Sequence, residues 1–341
     1  MDAKKWQIHF LIPLLLIVLI SFCGMPPKER AEAILKKGLE DRSAAVKIAA
    51  ARGLAEIGDE NGYNTLYQTL QSDNKEAMVA ALGALYELKE QSLSPILKKL
   101  CVSDDPLIRT EAYHLVATIK DTAGYRILMA GTKDKISKVR RYSYQGLANF
   151  KDKKAIIPGL KDNDPLVRIY AAKSLALLGE NQAVNLIKKE MDPKNPNVEV
   201  WSQAVLALAE INDTSAIPYI KELLTDTPWD LKIAAAQALL MLHNTEGIEV
   251  LKAAVQSPDP FVRVKGAEAM KKFPLLEFYE LLKKATGDDY INVSIAAIEG
   301  LRLYHKKEDL KIFAELFSAP NPLVRIAAAT AYLKNTTNSN R

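Results

Sequence analysis

The 341-residue chain carries four histidines (His9, His114, His243 and His305), two cysteines (Cys23 and Cys101) and fifteen scattered glycines. No histidine belongs to a His-Glu-x-x-His pair, and His305 with Glu308 one helical turn later is a spacing typical of a surface contact. The sequence contains no Cys-x-x-Cys, no glycine-rich phosphate loop and no Gly-x-Ser-x-Gly elbow. These residues therefore propose no catalytic group, no metal-ligand set and no cofactor. His114, within an apolar stretch, and Cys101, after Leu97-Lys98-Lys99-Leu100, read as packing residues.

Two other groups could recognise a ligand. Arg109, Arg140, Arg168, Arg263 and Arg325 each follow an apolar residue at the start of a recurring stretch, best seen as Asp164-Pro165-Leu166-Val167-Arg168. They could form a basic ladder for phosphate or sulfate. The structural reading is stronger, because Asp105, Asp164 and Asp259 stand where helix N-caps belong and can pair with the arginines. The second group is Arg140, Arg141, Tyr142, Lys154, Tyr170 and Trp201. Lys133 to Lys173 holds eleven Lys or Arg against four Asp, an excess of seven where the whole chain carries +5. Tyr142 and Tyr170 occupy a repeat position that elsewhere holds Ala, Glu, Gln or Lys, which predicts exposure. Aromatics beside cations are frequent at protein-binding hot spots, which makes this region the candidate partner surface; a solvated basic face is the plain alternative.

The elements that position these residues follow from periodicity. Taking the apolar residue before each ladder position as anchor, copies fall at Val46, Ala77, Ile108, Val139, Val167, Val200, Leu231, Val262, Val293 and Val324, mostly 31 residues apart. Four residues after the anchor every copy has Ala, Ser or Gly; eight after, it has Leu, Val, Met or Tyr. Each unit reads as helix, polar turn, helix, with Gly58 a left-handed C-cap after the first. The steps of 28 residues before Val167 and 33 before Val200 mark a shortened second helix and a lengthened turn. Lys28 to Leu39 reads as a half-unit cap. The last copy, Pro322 to Leu333, has no helix after it in the chain, which predicts an end of Ile326, Ala329 and Tyr332 open to self-association.

This pattern resembles HEAT repeats, especially the short variety of phycobilisome lyases. The resemblance covers residues 28–334 and implies an all-α fold, a right-handed α-α superhelix of about ten helix pairs. It also implies that first helices lie on the outer, convex side and second helices on the concave side that partners use. The apolar run Phe10 to Phe22 after Lys4 and Lys5 has the length of a signal-peptide core. Ile20-Ser21-Phe22-Cys23-Gly24 resembles a bacterial lipobox, with Phe22 departing from the small residue usual there. That resemblance implies a signal peptide over 1–22, lipid on Cys23 and a tether over 23–27. An uncleaved anchor from Ile8 to Met25 is the alternative. Residues 335–341 read as a polar disordered tail.

The expected function is an exported, membrane-tethered, non-enzymatic scaffold for an unidentified protein or peptide, with no nucleic acid. A HEAT-like lyase, ligand carrier or chaperone acting on a small molecule or nucleic acid is the alternative.

Overall fold

The computed structural model describes residues 24–90, 95–192 and 196–338. The signal-peptide and Cys23 expectations lie outside these residues. Twenty α-helices are present among them, joined by turns and four short 3₁₀ segments. In chain order they are α1 (Pro27–Gly38), α2 (Ala44–Glu56), α3 (Glu60–Thr69), α4 (Lys75–Glu87), α5 (Pro95–Leu100), α6 (Pro106–Val116), α7 (Thr122–Gly131), α8 (Ser137–Leu147), α9 (Lys153–Ile156) and α10 (Pro165–Leu177). They continue as α11 (Ala183–Lys189), α12 (Val198–Glu210), α13 (Ile217–Glu222), α14 (Trp229–Met241), α15 (Gly247–Val255), α16 (Pro260–Lys272), α17 (Leu276–Ala285), α18 (Ile291–Leu301), α19 (Asp309–Leu316) and α20 (Pro322–Asn338).

The anchored copies are the even-numbered helices, and the repeat chemistry explains each of them. Asp105, Asp164 and Asp259 accept hydrogen bonds from the free backbone N–H groups that open α6, α10 and α16. The small residue four after each anchor is buried in all ten copies, from Ala50 to Ala328. The residue eight after is buried in nine, while Tyr332 is half-buried with its ring 5.5 Å from Phe317. The residue twelve after takes a left-handed backbone at Gly58, Lys89, Lys151, Gly179, Asn212, His243 and His305. His243 and His305 are therefore helix-ending residues, as Gly58 is. Cys101 is buried, which pushes its thiol up to about 12. The short step before Val167 appears as α9, a single turn continued by a 3₁₀ segment through Lys161.

Each even helix packs on the even helices of both neighbouring units, from α2 through α4 and onward to α20. The row then closes: α20 packs on α2, and α1 packs on both. The molecule is thus an α-solenoid whose ends meet, a ring of ten even helices with the odd helices outside. α1 serves α20 as its second helix, so two half-units at opposite ends of the chain make the tenth unit. The end expected to be uncovered is covered: Ile326 and Ala329 are buried. Gly38 and Gly53 permit that approach, since a Cβ there would meet Ala50 at 2.6 Å and Thr330 Oγ1 at 2.3 Å. α20 also continues past Leu333 to Asn338, beyond the expected start of the tail, because Lys334 Nζ donates to Glu56 O at 2.9 Å and Asn335 is buried.

The expected layer assignment is reversed. The Asp-Pro-x-Val-Arg helices form the inner layer, because they are longer, richer in alanine and more closely packed on one another than the short odd helices. The ring is narrow where the even helices end. Arg52 of α2 pairs with Glu87 of α4 and, past α20, with Glu299 of α18. Lys271 of α16 joins Glu299 at 2.8 Å. Burial alone would raise the Glu299 carboxyl, but Arg52 and Lys271 hold it below the usual glutamate value.

Candidate partner-binding site on the inner face

Residues three, six and ten after each anchor lie on one side of a helix, since these spacings follow the 3.6-residue period. In the ring that side faces inward. It carries Arg52 and Glu87 at the narrow end, and Gln203, Ala234, Gln237, Lys265 and Glu268 along an inner cavity of about 600 Å³ between α12, α14 and α16. On α4 to α12 it carries an aromatic and cationic cluster.

The His114 ring is sandwiched between two tyrosines, with centroids 3.8 Å from Tyr86 and 4.3 Å from Tyr142 at interplanar angles of 29° and 17°. Beside this stack the Arg141 guanidinium lies 5.2 Å from the Tyr142 ring centroid and 5.1 Å from that of Tyr170. Arg141 is 9% exposed, its Nε has no hydrogen-bond partner, and it joins no carboxylate among the described residues. Its repeat position, two after the anchor, holds Ile48, Val79, Ile169 and Ile233 in other units, so a cation replaces an apolar contact there. Lys173 Nζ sits 4.5 Å from the Tyr170 ring and pairs with Glu210 at 2.6 Å. Tyr170 Oη donates to Gln203 Oε1 at 2.8 Å, and burial raises its phenol. The result is a half-buried shelf of aromatic rings and one cation lacking a counter-charge, suited to an aromatic or carboxylate-bearing chain.

Of the six residues that the sequence grouped, the structure brings Arg141, Tyr142 and Tyr170 together. The other three lie elsewhere. Arg140 belongs to the ladder, Lys154 is exposed on outer helix α9, and Trp201 turns to the outer layer with its ring 6.2 Å from that of Tyr219. Sequence reasoning missed Tyr86 and His114. The signal was available, because His114 stands six after its anchor on the stripe that holds Tyr142 three after its own.

The ladder is structural, with a different pairing from the one expected. The aspartates cap their own helices, and four of the five arginines reach forward to an acid in the turn before the next unit. Arg109 Nε donates to Asp134 at 2.8 Å, Arg140 to Asp162 at 2.7 Å, Arg168 to Glu190 at 2.6 Å and Arg263 to Asp288 at 2.9 Å. Nη1 of each also donates to a carbonyl six residues upstream. One arginine thus staples two turns, which explains its recurrence without a ligand. Among the described residues no group of His, Cys, Asp and Glu could hold a metal ion, and no helix is long and apolar enough to cross a membrane.

The chain matches the family of HEAT repeats over residues 31–117, 154–240 and 220–290. A curated relative, an uncharacterized phycocyanin operon protein Y of Pseudanabaena tenuis, is 37% identical over 90 residues, covering 26% of this chain and 21% of that protein. The chain thus spans about a fifth of that relative's length. Among solved structures it is similar to the CpcE–CpcF complex of phycocyanin lyase from Nostoc (21% identity, TM-score 0.46, 71% of this chain and 95% of that one). An engineered protein is also similar (20% identity, TM-score 0.35, 90% and 99% covered). With a family match over more than half its length, the chain belongs to the HEAT-repeat family.

Proposed function

We propose that this protein is a non-catalytic HEAT-repeat scaffold, exported and held at a membrane through lipid on Cys23, that grips a polypeptide on the inner face of its ring. The observation that carries the reading is the shelf of Arg141, Tyr142 and Tyr170. A buried cation without a carboxylate, framed by two tyrosines, is a surface whose energetics favour a partner able to supply an anionic or aromatic group. The tether rests on the sequence around Cys23. With only Gly24 to Pro26 between Cys23 and α1, less than about 20 Å of chain separates the lipid from the ring.

Crosslinking mass spectrometry in intact cells tests both parts. Partner crosslinks should concentrate on the even helices near Tyr142 and Tyr170, and Arg141→Gln with Tyr170→Ala should abolish them while the helical circular dichroism stays unchanged. Equal recovery by wild type and variant would remove the shelf from consideration. Fatty-acid labelling that persists in Cys23→Ala would remove the tether. A second reading, a lyase-like or ligand-carrying role, is favoured by the 90-residue likeness to the phycocyanin operon protein. A copurifying pigment would put it first.

A further inference from the structure

The ladder contains its own internal control. Four of its five arginines use Nη1 on an upstream carbonyl and Nε with Nη2 on the next unit's acid. Arg325 keeps the first half of this arrangement, with Nη1 donating to Ala319 O at 2.7 Å and Pro320 O at 2.8 Å. Because the ring closes, with α1 as the second helix of its own unit, the next unit begins at α2, and the matching acid is Asp41 in the turn before it. Asp41 Oδ1 accepts from Ser43 N at 2.8 Å, as Asp134, Asp162 and Asp288 accept from the residue two ahead of each. The rung is nevertheless open. Arg325 makes no ion pair among the described residues, and between it and Asp41 lies a cavity of about 370 Å³.

Arg30 and Lys37 of α1 also line this cavity, so three cations face one acid. Arg30 Nη2 donates to Ser318 Oγ at 2.8 Å, and its Nε is buried with no partner. Ile34, Phe317 and Ile326 supply apolar walls. We propose that this seam cavity is a binding site for a small organic acid, whose carboxylate occupies the Nε/Nη2 fork of Arg325 as Asp or Glu occupies the other four. A planar anion with two oxygens matches the guanidinium fork, Arg30 and Lys37 supply further positive charge, and the apolar wall takes the carbon skeleton. A ligand bound there touches α1 and α20 together, so it stabilises the closed ring by mass action.

Thermal unfolding of the full-length protein, titrated with malonate against sodium chloride of equal ionic strength, tests this. The melting temperature of the wild type should rise saturably. Arg325→Gln should lose the response, Arg325→Lys, which keeps the charge without the fork, should weaken it at least about tenfold, and Asp41→Asn should strengthen it. Arg263→Gln removes a filled rung and should keep the response, which separates loss of the site from general destabilisation. If Arg325→Gln does not fold, Lys37→Gln at an exposed position should weaken binding several-fold. An equal response in wild type and Arg325→Gln, or none in the wild type, overturns the site. So does a loss of stability in Asp41→Asn as large as in Asp288→Asn, because Asp41 would then fill the fork itself.

Discussion

The seam where α1, α2 and α20 meet and the wall formed by α8, α10 and α12 are built from the same repeat, yet they differ in what joins them. In the wall, packed helices are neighbours in the chain, and the contacts span about one repeat, as Tyr170 to Gln203 and Lys173 to Glu210 do. At the seam the partners lie 288 residues apart for Arg30 and Ser318 and 278 for Lys334 and Glu56. Loop-closure entropy rises by roughly 0.6 kcal/mol per doubling of length, so closing the seam costs about 2 kcal/mol more than adding one unit to the wall. The wall's ladder arginines, Arg140 and Arg168, each pair with an acid of the next unit, whereas the seam's Arg325 pairs with none among the described residues. The same residues, placed in a ring, thus make one junction weaker than the rest, and both entropy and electrostatics point to the same place.

The largest test of this contrast removes α1. Deleting residues 24–39 uncovers Ile326, Ala329 and Leu333, and by analogy with large core truncations should cost at least about 4 kcal/mol. It should also create dimers through the bared face of α20, read by light scattering. An unchanged denaturation midpoint and a monomer would mean that the seam adds nothing. A finer test compares rungs: Arg140→Gln should destabilise by about 1.5 kcal/mol because it leaves Asp162 and two turns unlinked, while Arg325→Gln without added acid should cost under about 0.5 kcal/mol. Chemical denaturation of the two variants reads the difference directly.

The smallest effect is the acid response. Burial would raise the Asp162 and Asp288 carboxyls, but hydrogen bonds from Arg140 and Arg263 hold both below the usual 3.8. A depressed folded value contributes stability above the unfolded value and loses it as pH falls through the folded one. Denaturation midpoints of wild type and Asp162→Asn should therefore converge as pH drops below about 4. Persistence of the gap at lower pH would assign Asp162 a role other than charge.

Most of the helices could be read from the sequence, because caps, small residues and core leucines are local and repeat ten times. Asp164 opening α10 and Gly58 closing α2 needed only the geometry of a helix end. The ring needed something else. Closure sums a small rotation at every junction, and no single residue encodes that angle, so α20 read as an open end although α1 covers it. The inward stripe had the same difficulty: Tyr142 and Tyr170 stood out by type, but only the curvature decides that residues three, six and ten after an anchor face inward. That is why His114, six after its anchor, was missed, as was Tyr86 beside the stripe nine after its own, and why Trp201, one after its anchor, fell on the other side. The ladder pairing failed for a related reason, since Arg109 seeks the acid nearest in space, 25 residues ahead at Asp134, and not the one nearest in sequence.

The shared tenth unit also changes how the chain can come apart. A linear array behaves as a one-dimensional lattice with free boundaries, and its terminal units, having one neighbour each, melt first and need dedicated polar caps. Here the boundary is periodic, so every inner helix has two neighbours and no unit is terminal. Unravelling must begin by parting α1 from α20, after which both halves of that unit become ends at once. Melting should therefore be all-or-none while the seam holds and stepwise once it is cut.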